Sequence, residues 1–131
     1  MAKVMIVDDH PAIRMAVSIL LQQQQHTICC EVDNGVDAIK KSKEYNSDVI
    51  LIDIGIPKLD GFEVIKRLRC LGVAAKIIVL SAQSSQHVML RCYHAGANGF
   101  ISKLDDISIV CKAVGVCLQG EFFFRKKYWL R

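Results

Sequence analysis

The chain has 131 residues, of which 52% are hydrophobic and 23% charged, and its formal net charge at pH 7 is +4. This length fits one domain with a single core, and the composition argues against intrinsic disorder. No apolar run approaches the roughly 20 residues of a membrane span, and Met1-Ala2-Lys3 leads directly into an apolar run rather than a signal peptide, so we expect a cytoplasmic protein without membrane contact.

Five short apolar runs alternate with five longer stretches of helical periodicity. The runs are mostly continuous and rich in β-branched residues, which is typical of strands buried on both faces of a parallel sheet. The second run is partly polar, which favours a place at the sheet edge. The predicted strands are 3–8, 27–32, 48–53, 76–81 and 98–102, and the predicted helices after the first are about 35–45, 61–71, 85–95 and 106–118.

The first helix is predicted to open at Pro11, where proline suits the first helical turn. Strands separated by single helices give right-handed crossovers and therefore a parallel sheet. Five such units predict an α/β, flavodoxin-like (βα)5 fold, a doubly wound parallel five-stranded sheet of order 2-1-3-4-5.

Three aspartates follow two of these runs. Asp8 and Asp9 come after the first strand, and Asp53 ends the third. In the predicted order those strands are neighbours, so the three carboxylates share the crevice at the carboxyl edge of the sheet. Like charges at that distance repel one another. A divalent cation would hold them together, and all-oxygen ligation suits magnesium.

The chain is divided near Gln119-Gly120, where the last helix is expected to stop with Gly120 in the left-handed conformation. Residues 1–118 form the predicted domain, and residues 119–131 form a tail in which aromatic and basic side chains alternate. This tail either contacts nucleic acid or begins a linker that docks on the fifth helix, and the linker interpretation is favoured. The six cysteines lack metal or disulfide spacing and are interpreted as reduced, structural thiols.

Further motifs follow the later strands and carry a family resemblance. Asp53 begins the stretch Asp-Ile-Gly-Ile-Pro-Lys-Leu-Asp-Gly, strand four ends in Ser81-Ala82, and strand five contains Phe100 and is followed by Lys103. Together with Asp8-Asp9, this order and spacing resembles the receiver domain of two-component response regulators over residues 3–118. The motifs are most similar to the LuxR-type branch with helix-turn-helix output domains, in its BvgA/EvgA-like group.

The resemblance implies roles for individual residues. Asp53 would be the phosphoacceptor. Mg2+ would be held by Asp53, by Asp9 directly, by Asp8 mainly through water, and by the backbone carbonyl of Gly55. The remaining site residues that it implies are Ser81 and Lys103 for phosphoryl oxygens, Ala82 for an open approach, Phe100 as the switch aromatic, and Pro57, Asp60 and Gly61 for the shape of the loop.

The implied function is phosphorelay signalling without enzymatic activity beyond the domain's own phosphorylation and dephosphorylation. The donor would be a sensor histidine kinase or a phosphotransfer protein. Phosphorylation would strengthen a weak homodimer through a second apolar face of the first helix, the fifth helix and the tail. DNA would be reached only through an output domain that is not in this sequence.

Other interpretations of the same residues stay open. Asp9 could cap the first helix, Lys103 could be a solvated lysine, Ser81 a turn residue and Phe100 an ordinary core residue. His10 is more typical of a loop residue than of a proton donor. An unphosphorylated interaction module is a second functional class. A phosphate hydrolase of the haloacid-dehalogenase type is a third, although such enzymes need aspartate where Gly55 stands.

Overall fold

The apolar runs form the strands of one parallel sheet, and the fold that the sequence predicts is confirmed. The computed structural model describes residues 1–125. The sheet order is β2-β1-β3-β4-β5-β6, with every neighbouring pair parallel. The strands are β1 (Lys3–Val7), β2 (Thr27–Val32), β3 (Val49–Ile52), β4 (Lys76–Ser81), β5 (Gly99–Ser102) and β6 (Phe123–Phe124).

The five predicted strands keep their predicted order, and the described residues add a sixth strand that was not predicted. Residues of the tail add β6 at the edge, where Phe123 pairs with Gly99 and Phe124 with Phe100. The backbone N–H of Phe123 also donates to the carbonyl of Asn98 at 2.9 Å. A strand of two residues is too short to produce a periodic pattern, which explains why sequence reasoning did not find it.

Five helices connect the strands in the predicted places. They are α1 (Pro11–Gln23), α2 (Gly35–Glu44), α3 (Gly61–Cys70), α4 (Gln86–Ala95) and α5 (Ile109–Leu118). The last helix begins three residues later than predicted, because Asp106 forms a tight turn. Its carboxylate accepts the Ser108 N–H at 3.0 Å, and its carbonyl accepts the Ile109 N–H at 3.0 Å. Beyond α5, Gly120 has the expected left-handed conformation, with φ of 91°.

Both faces of the sheet are covered, because successive side chains of each central strand point to opposite sides. Ile50 and Ile52 of β3 pack with α2, α3 and α4, whereas Val49 and Leu51 pack with α1 and α5. The two faces therefore hold two apolar layers, and the polar residues that follow the strands collect at the edges. None of the helices in residues 1–125 has the length and apolar character needed to cross a bilayer.

The described part of the tail lies against β5 and α4. Phe123 is buried beside α5, while the rings of Phe122 and Phe124 each lie 5.6 Å from the ring of Tyr93 in α4. Arg125 reaches back to Asp105, with 3.6 Å between Nη1 and Oδ2. The aromatic docking thus involves α4 as well as the fifth helix; residues 126–131 of the predicted tail lie outside the described residues.

Candidate functional site

The carboxyl edge of the sheet brings Asp8 and Asp53 side by side. Val7 and Ile52 are partners in the β1–β3 register, so the residue after each enters the same crevice. The Asp53 N–H donates to the carbonyl of Val7 at 2.9 Å, which fixes the start of the loop after β3. Both carboxylates are buried, with side-chain exposures of 3% and 6%.

A third carboxylate and an imidazole complete an acidic cluster in this crevice. Ligand atoms of Asp8, Asp9, His10 and Asp53 all lie within 4.8 Å of one another. Asp9 is more exposed than the other two carboxylates, and it does not cap α1. The N-cap of α1 is His10, whose side chain makes no capping bond. The helix-cap interpretation of Asp9 therefore does not describe this structure.

Lys103 supplies the positive charge that faces the two buried carboxylates. Its Nζ donates to Asp53 Oδ2 at 3.0 Å and forms an ion pair with Asp8 Oδ2 at 3.0 Å. Burial by itself lowers the pKa of Lys103, but hydrogen bonds and charge from Asp53 and Asp8 outweigh that effect, and the net pKa is raised. The lysine is held charged at neutral pH. It is not an ordinary solvated lysine.

His10 contacts every member of the cluster. Its Nδ1 lies 2.8 Å from Asp8 Oδ1 and 3.1 Å from Lys103 Nζ. One nitrogen cannot donate to the carboxylate and accept from the lysine at the same time, so the tautomer and charge of His10 decide which contact forms. The sequence assigned His10 to the loop. Its adjacency to Asp8-Asp9 was the signal that could have placed it in the site.

The acidic cluster can hold a divalent cation. Asp8 Oδ2 is buried, and within residues 1–125 its partner is the Lys103 ammonium at 3.0 Å. The same ammonium also pairs with Asp53, so its single charge does not offset both buried carboxylates. Three carboxylates around one lysine leave a surplus of negative charge, which suits a hard cation bound through oxygen.

A cavity of about 450 Å³ opens above Asp53, and Ser81, Ala82 and Lys103 line it. Ser81 is buried, and its Oγ accepts the Gln83 N–H at 3.0 Å. Ala82 is exposed at the cavity wall. The structure therefore brings together the phosphoacceptor candidate and three of the residues expected around it.

The loop after β3 is fixed by several backbone interactions. Gly55 donates its N–H to Asp53 Oδ1 at 3.0 Å, and Pro57 accepts the Gly35 N–H at 3.2 Å. Asp60 caps α3 by accepting the Glu63 N–H at 3.1 Å. A side chain at Gly61 would collide with the Ile54 backbone. These contacts agree with a loop-shaping role for Pro57, Asp60 and Gly61.

Phe100 is completely buried between β4 and β6. The family resemblance implies that this ring swings inward when Ser81 moves toward the phosphoryl group, whereas the ring of Phe100 is already buried here. The described conformation therefore matches the core interpretation of Phe100, and a switch would start from this inward position.

Two further groups at this edge carried no signal in the sequence. Arg14 of α1 donates to the carbonyl of Asp8 at 2.6 Å and so holds the end of β1. Arg91 of α4 stacks on Phe62 of α3 and lines the cavity with Asp53. Both are isolated basic residues within helical patterns, and only the fold brings them to this edge.

Comparisons with known proteins agree with this geometry. Residues 4–114 match the response regulator receiver domain. BvgA of Bordetella pertussis is 39% identical over 93% of this chain, and the DNA-binding transcriptional activator EvgA of Escherichia coli is 31% identical over 91%. The chain spans 58% of the length of each of these relatives.

A solved structure is also similar. The signal receiver domain of the response regulator NarL from Mycobacterium tuberculosis superposes with a TM-score of 0.87 and 28% identity, covering 92% of this chain and 98% of that one. The BvgA/EvgA-like resemblance that the motifs predicted is confirmed. By its matched residues and its fold, the chain belongs to the response regulator receiver domain family.

Proposed function

We propose that this domain accepts a phosphoryl group on Asp53 in a magnesium-dependent reaction. The observation that carries the proposal is the position of Asp53, whose carboxylate is buried at the base of an open cavity and held by Lys103 at 3.0 Å. A sensor histidine kinase or a phosphotransfer protein is the proposed donor.

The transfer needs little covalent help from the protein. One carboxylate oxygen of Asp53 forms the new O–P bond as the P–N bond of a donor phosphohistidine breaks, and the imidazole leaves with that electron pair and takes up a proton. Lys103 and the hydroxyl of Ser81 are proposed to bind phosphoryl oxygens. Ala82 leaves the approach open. Water later cleaves the acyl phosphate, and we propose no other catalysis.

Asp8, Asp9, Asp53 and the carbonyl of Gly55 are the proposed holders of Mg2+. When bound, the ion neutralises charge that develops on the phosphoryl oxygens. Asp9 is the best candidate for direct ligation, because Asp8 already pairs with Lys103 at 3.0 Å. We therefore expect Asp9→Ala to weaken magnesium binding more than Asp8→Ala. An unchanged magnesium titration of the Asp9→Ala variant would exclude direct ligation.

Phosphorylation of Asp53 is tested by intact mass after incubation with a small acyl phosphate and Mg2+. Wild type should gain one phosphoryl group, and Asp53→Asn should gain none, because an amide is not a comparable nucleophile. Asp60→Asn is a matched control, since Asp60 lines the same cavity and asparagine also caps helices. Equal labelling of the Asp53→Asn variant would refute the assignment.

The output is proposed to be a weak homodimer and, in a longer chain, control of a DNA-binding domain. Met15 and Ile19 form an exposed apolar face on α1, with side chains 66% and 50% exposed. The α5 helix lies beside α1 on the same face of the sheet. Sedimentation of phosphorylated wild type should show more dimer than sedimentation of the unphosphorylated protein. Lys103→Ala should uncouple dimerisation from phosphorylation. Monomer up to about millimolar concentration would exclude the dimer.

Residues 119–131 are proposed to begin the linker to that output domain. Phe124 pairs with Phe100 across β5 and β6, and Arg125 contacts Asp105 two residues after Lys103. A conformational change at Lys103 or Phe100 can therefore alter the position of the linker, because residues next to them contact it. An unphosphorylated interaction module remains the second candidate, and failure of all phosphodonors would favour it.

A further inference from the structure

The cavity around Asp53 contains a second cation, Arg91, to which the proposed reaction assigns no role. Arg91 lies on α4, and its side chain lines the cavity together with Asp53, Phe62 and Lys103. Helix α4 is anchored at its start by Ser85, whose Oγ accepts the Val88 N–H at 3.2 Å. The guanidinium is therefore presented from a regular helix rather than from a loop.

The aromatic ring of Phe62 holds the guanidinium in place. Arg91 Cζ lies 3.8 Å from the centre of that ring, which is close contact for a stacked cation. Phe62 is in the first turn of α3, next to Gly61 and its close contact with the loop after β3. The stacked pair is thus attached to the same loop that carries the phosphoacceptor.

Arg91 and Lys103 differ in how their charges are used. Lys103 contacts the carboxylates of Asp8 and Asp53, whereas the ion pairs formed within residues 1–125 do not include Arg91. Stacking uses the face of the guanidinium and leaves its N–H donors, which lie in the plane, directed away from the ring. These donors suit the bidentate recognition of a phosphate group.

We propose that Arg91, held on Phe62, binds the phosphoryl group of an incoming donor and sets the rate at which anionic donors are accepted. The inference rests on the proposed phosphorylation of Asp53. A donor must bring negative charge toward three carboxylates, so a cation in the cavity lining that is not already paired lowers the electrostatic barrier to its approach. Arg91 would recognise a phosphoryl dianion. It would therefore speed the reaction of strongly anionic donors more than that of weakly anionic donors.

The test compares two small donors of different charge under saturating Mg2+. Acetyl phosphate carries more negative charge at neutral pH than phosphoramidate. For Arg91→Gln we expect the second-order labelling rate to fall roughly three- to tenfold with acetyl phosphate, and clearly less with phosphoramidate. Arg91→Lys should recover only part of the loss, because it restores the charge but not the stacked, bidentate guanidinium. Phe62→Leu should show an intermediate loss, because it removes the ring that positions the cation.

Lys112→Gln is the matched control, since it removes one exposed positive charge from α5 on the other face of the sheet. It should label like wild type with both donors. Wild-type labelling of Arg91→Gln with acetyl phosphate would overturn the inference. So would an equal slowing with both donors, because that result indicates a structural contact between α3 and α4. Absence of labelling in wild type would instead refute the proposed function.

Discussion

Two partly buried cations at opposite edges of the sheet are stabilised by different partners. Lys103, at the carboxyl edge, contacts two buried carboxylates at 3.0 Å each. Arg69, near the end of α3 at the other edge, makes its hydrogen bonds to neutral oxygens. These are the carbonyls of Gly96, Val73 and Ala75 and the side-chain oxygen of Asn98, at 2.7–3.0 Å.

The difference separates a structural ion from a functional one. Burial lowers the pKa of Arg69, which has no carboxylate partner within residues 1–125, whereas the carboxylates raise the pKa of Lys103 against the effect of burial. Around Arg69 each nitrogen of the guanidinium donates to at least one acceptor. Around Lys103 the carboxylates outnumber the cation, and Asp9 and His10 crowd the same space. Surplus negative charge is what a site for a divalent metal ion requires.

Removal of the Arg69 side chain should give the largest change in stability. Arg69→Ala leaves three loop carbonyls and Asn98 without this donor, and it opens the packing between α3 and α4. We expect the free energy of unfolding to fall by about 2–4 kcal/mol, measured by urea denaturation. Arg67→Ala, a neighbouring exposed arginine, should change it by less than about 0.5 kcal/mol. A loss for Arg69→Ala no larger than that for Arg67→Ala would refute the bracing role.

Removal of one carboxylate from the carboxyl edge of the sheet should instead increase the stability of the metal-free protein. Asp9→Asn lowers the repulsion around Asp8 and Asp53 without removing their contacts to Lys103, so we expect the metal-free protein to gain about 1 kcal/mol. The same variant should lose stabilisation by Mg2+. Glu121→Gln, an exposed carboxylate remote from the cluster, should do neither. Destabilisation of metal-free Asp9→Asn would contradict the view that the cluster carries surplus charge.

The raised pKa of Lys103 predicts a particular pH window. Because the folded-state pKa lies above the unfolded value of about 10.4, the stabilisation is complete below that value. It is lost as the pH rises through the folded pKa, and it is constant between pH 6 and 9. Titration of Lys103 by NMR should show a midpoint above the ordinary lysine value of about 10.4. Asp53→Asn should bring the midpoint down, and an unchanged midpoint would exclude the ion pair.

Thiol reactivity gives the smallest expected effect and reports on the Arg69 edge. Burial raises the pKa of Cys117 to about 11 and that of Cys92 to about 12, so both should resist alkylation, while the exposed Cys70 reacts. Cys117 donates to the carbonyl of Asn98 at 3.6 Å. Arg69→Ala should therefore speed alkylation of Cys117 and leave that of Cys70 unchanged. Equal alkylation rates of Cys117 in wild type and Arg69→Ala would show that Cys117 does not depend on the Arg69 hydrogen bonds.

The sequence predicted the fold and the meeting of Asp8 with Asp53 because both follow from local patterns. Continuous apolar runs identify parallel strands, and the carboxyl ends of neighbouring strands must share an edge. The Arg69 network could not be predicted, since its acceptors are carbonyls of two separate loops that any residue could supply. The stacking of Arg91 on Phe62 likewise depends on how α3 and α4 pack, which periodicity alone does not fix.

The most direct test identifies the residue that carries the phosphoryl group. Borohydride reduces an aspartyl phosphate to homoserine, so reduction after treatment with acetyl phosphate and Mg2+ marks the modified residue for tandem mass spectrometry. Homoserine is expected at residue 53 in wild type and in Asp60→Asn. Homoserine at Asp8 or Asp9, or its formation elsewhere at the same yield in Asp53→Asn, would contradict the account.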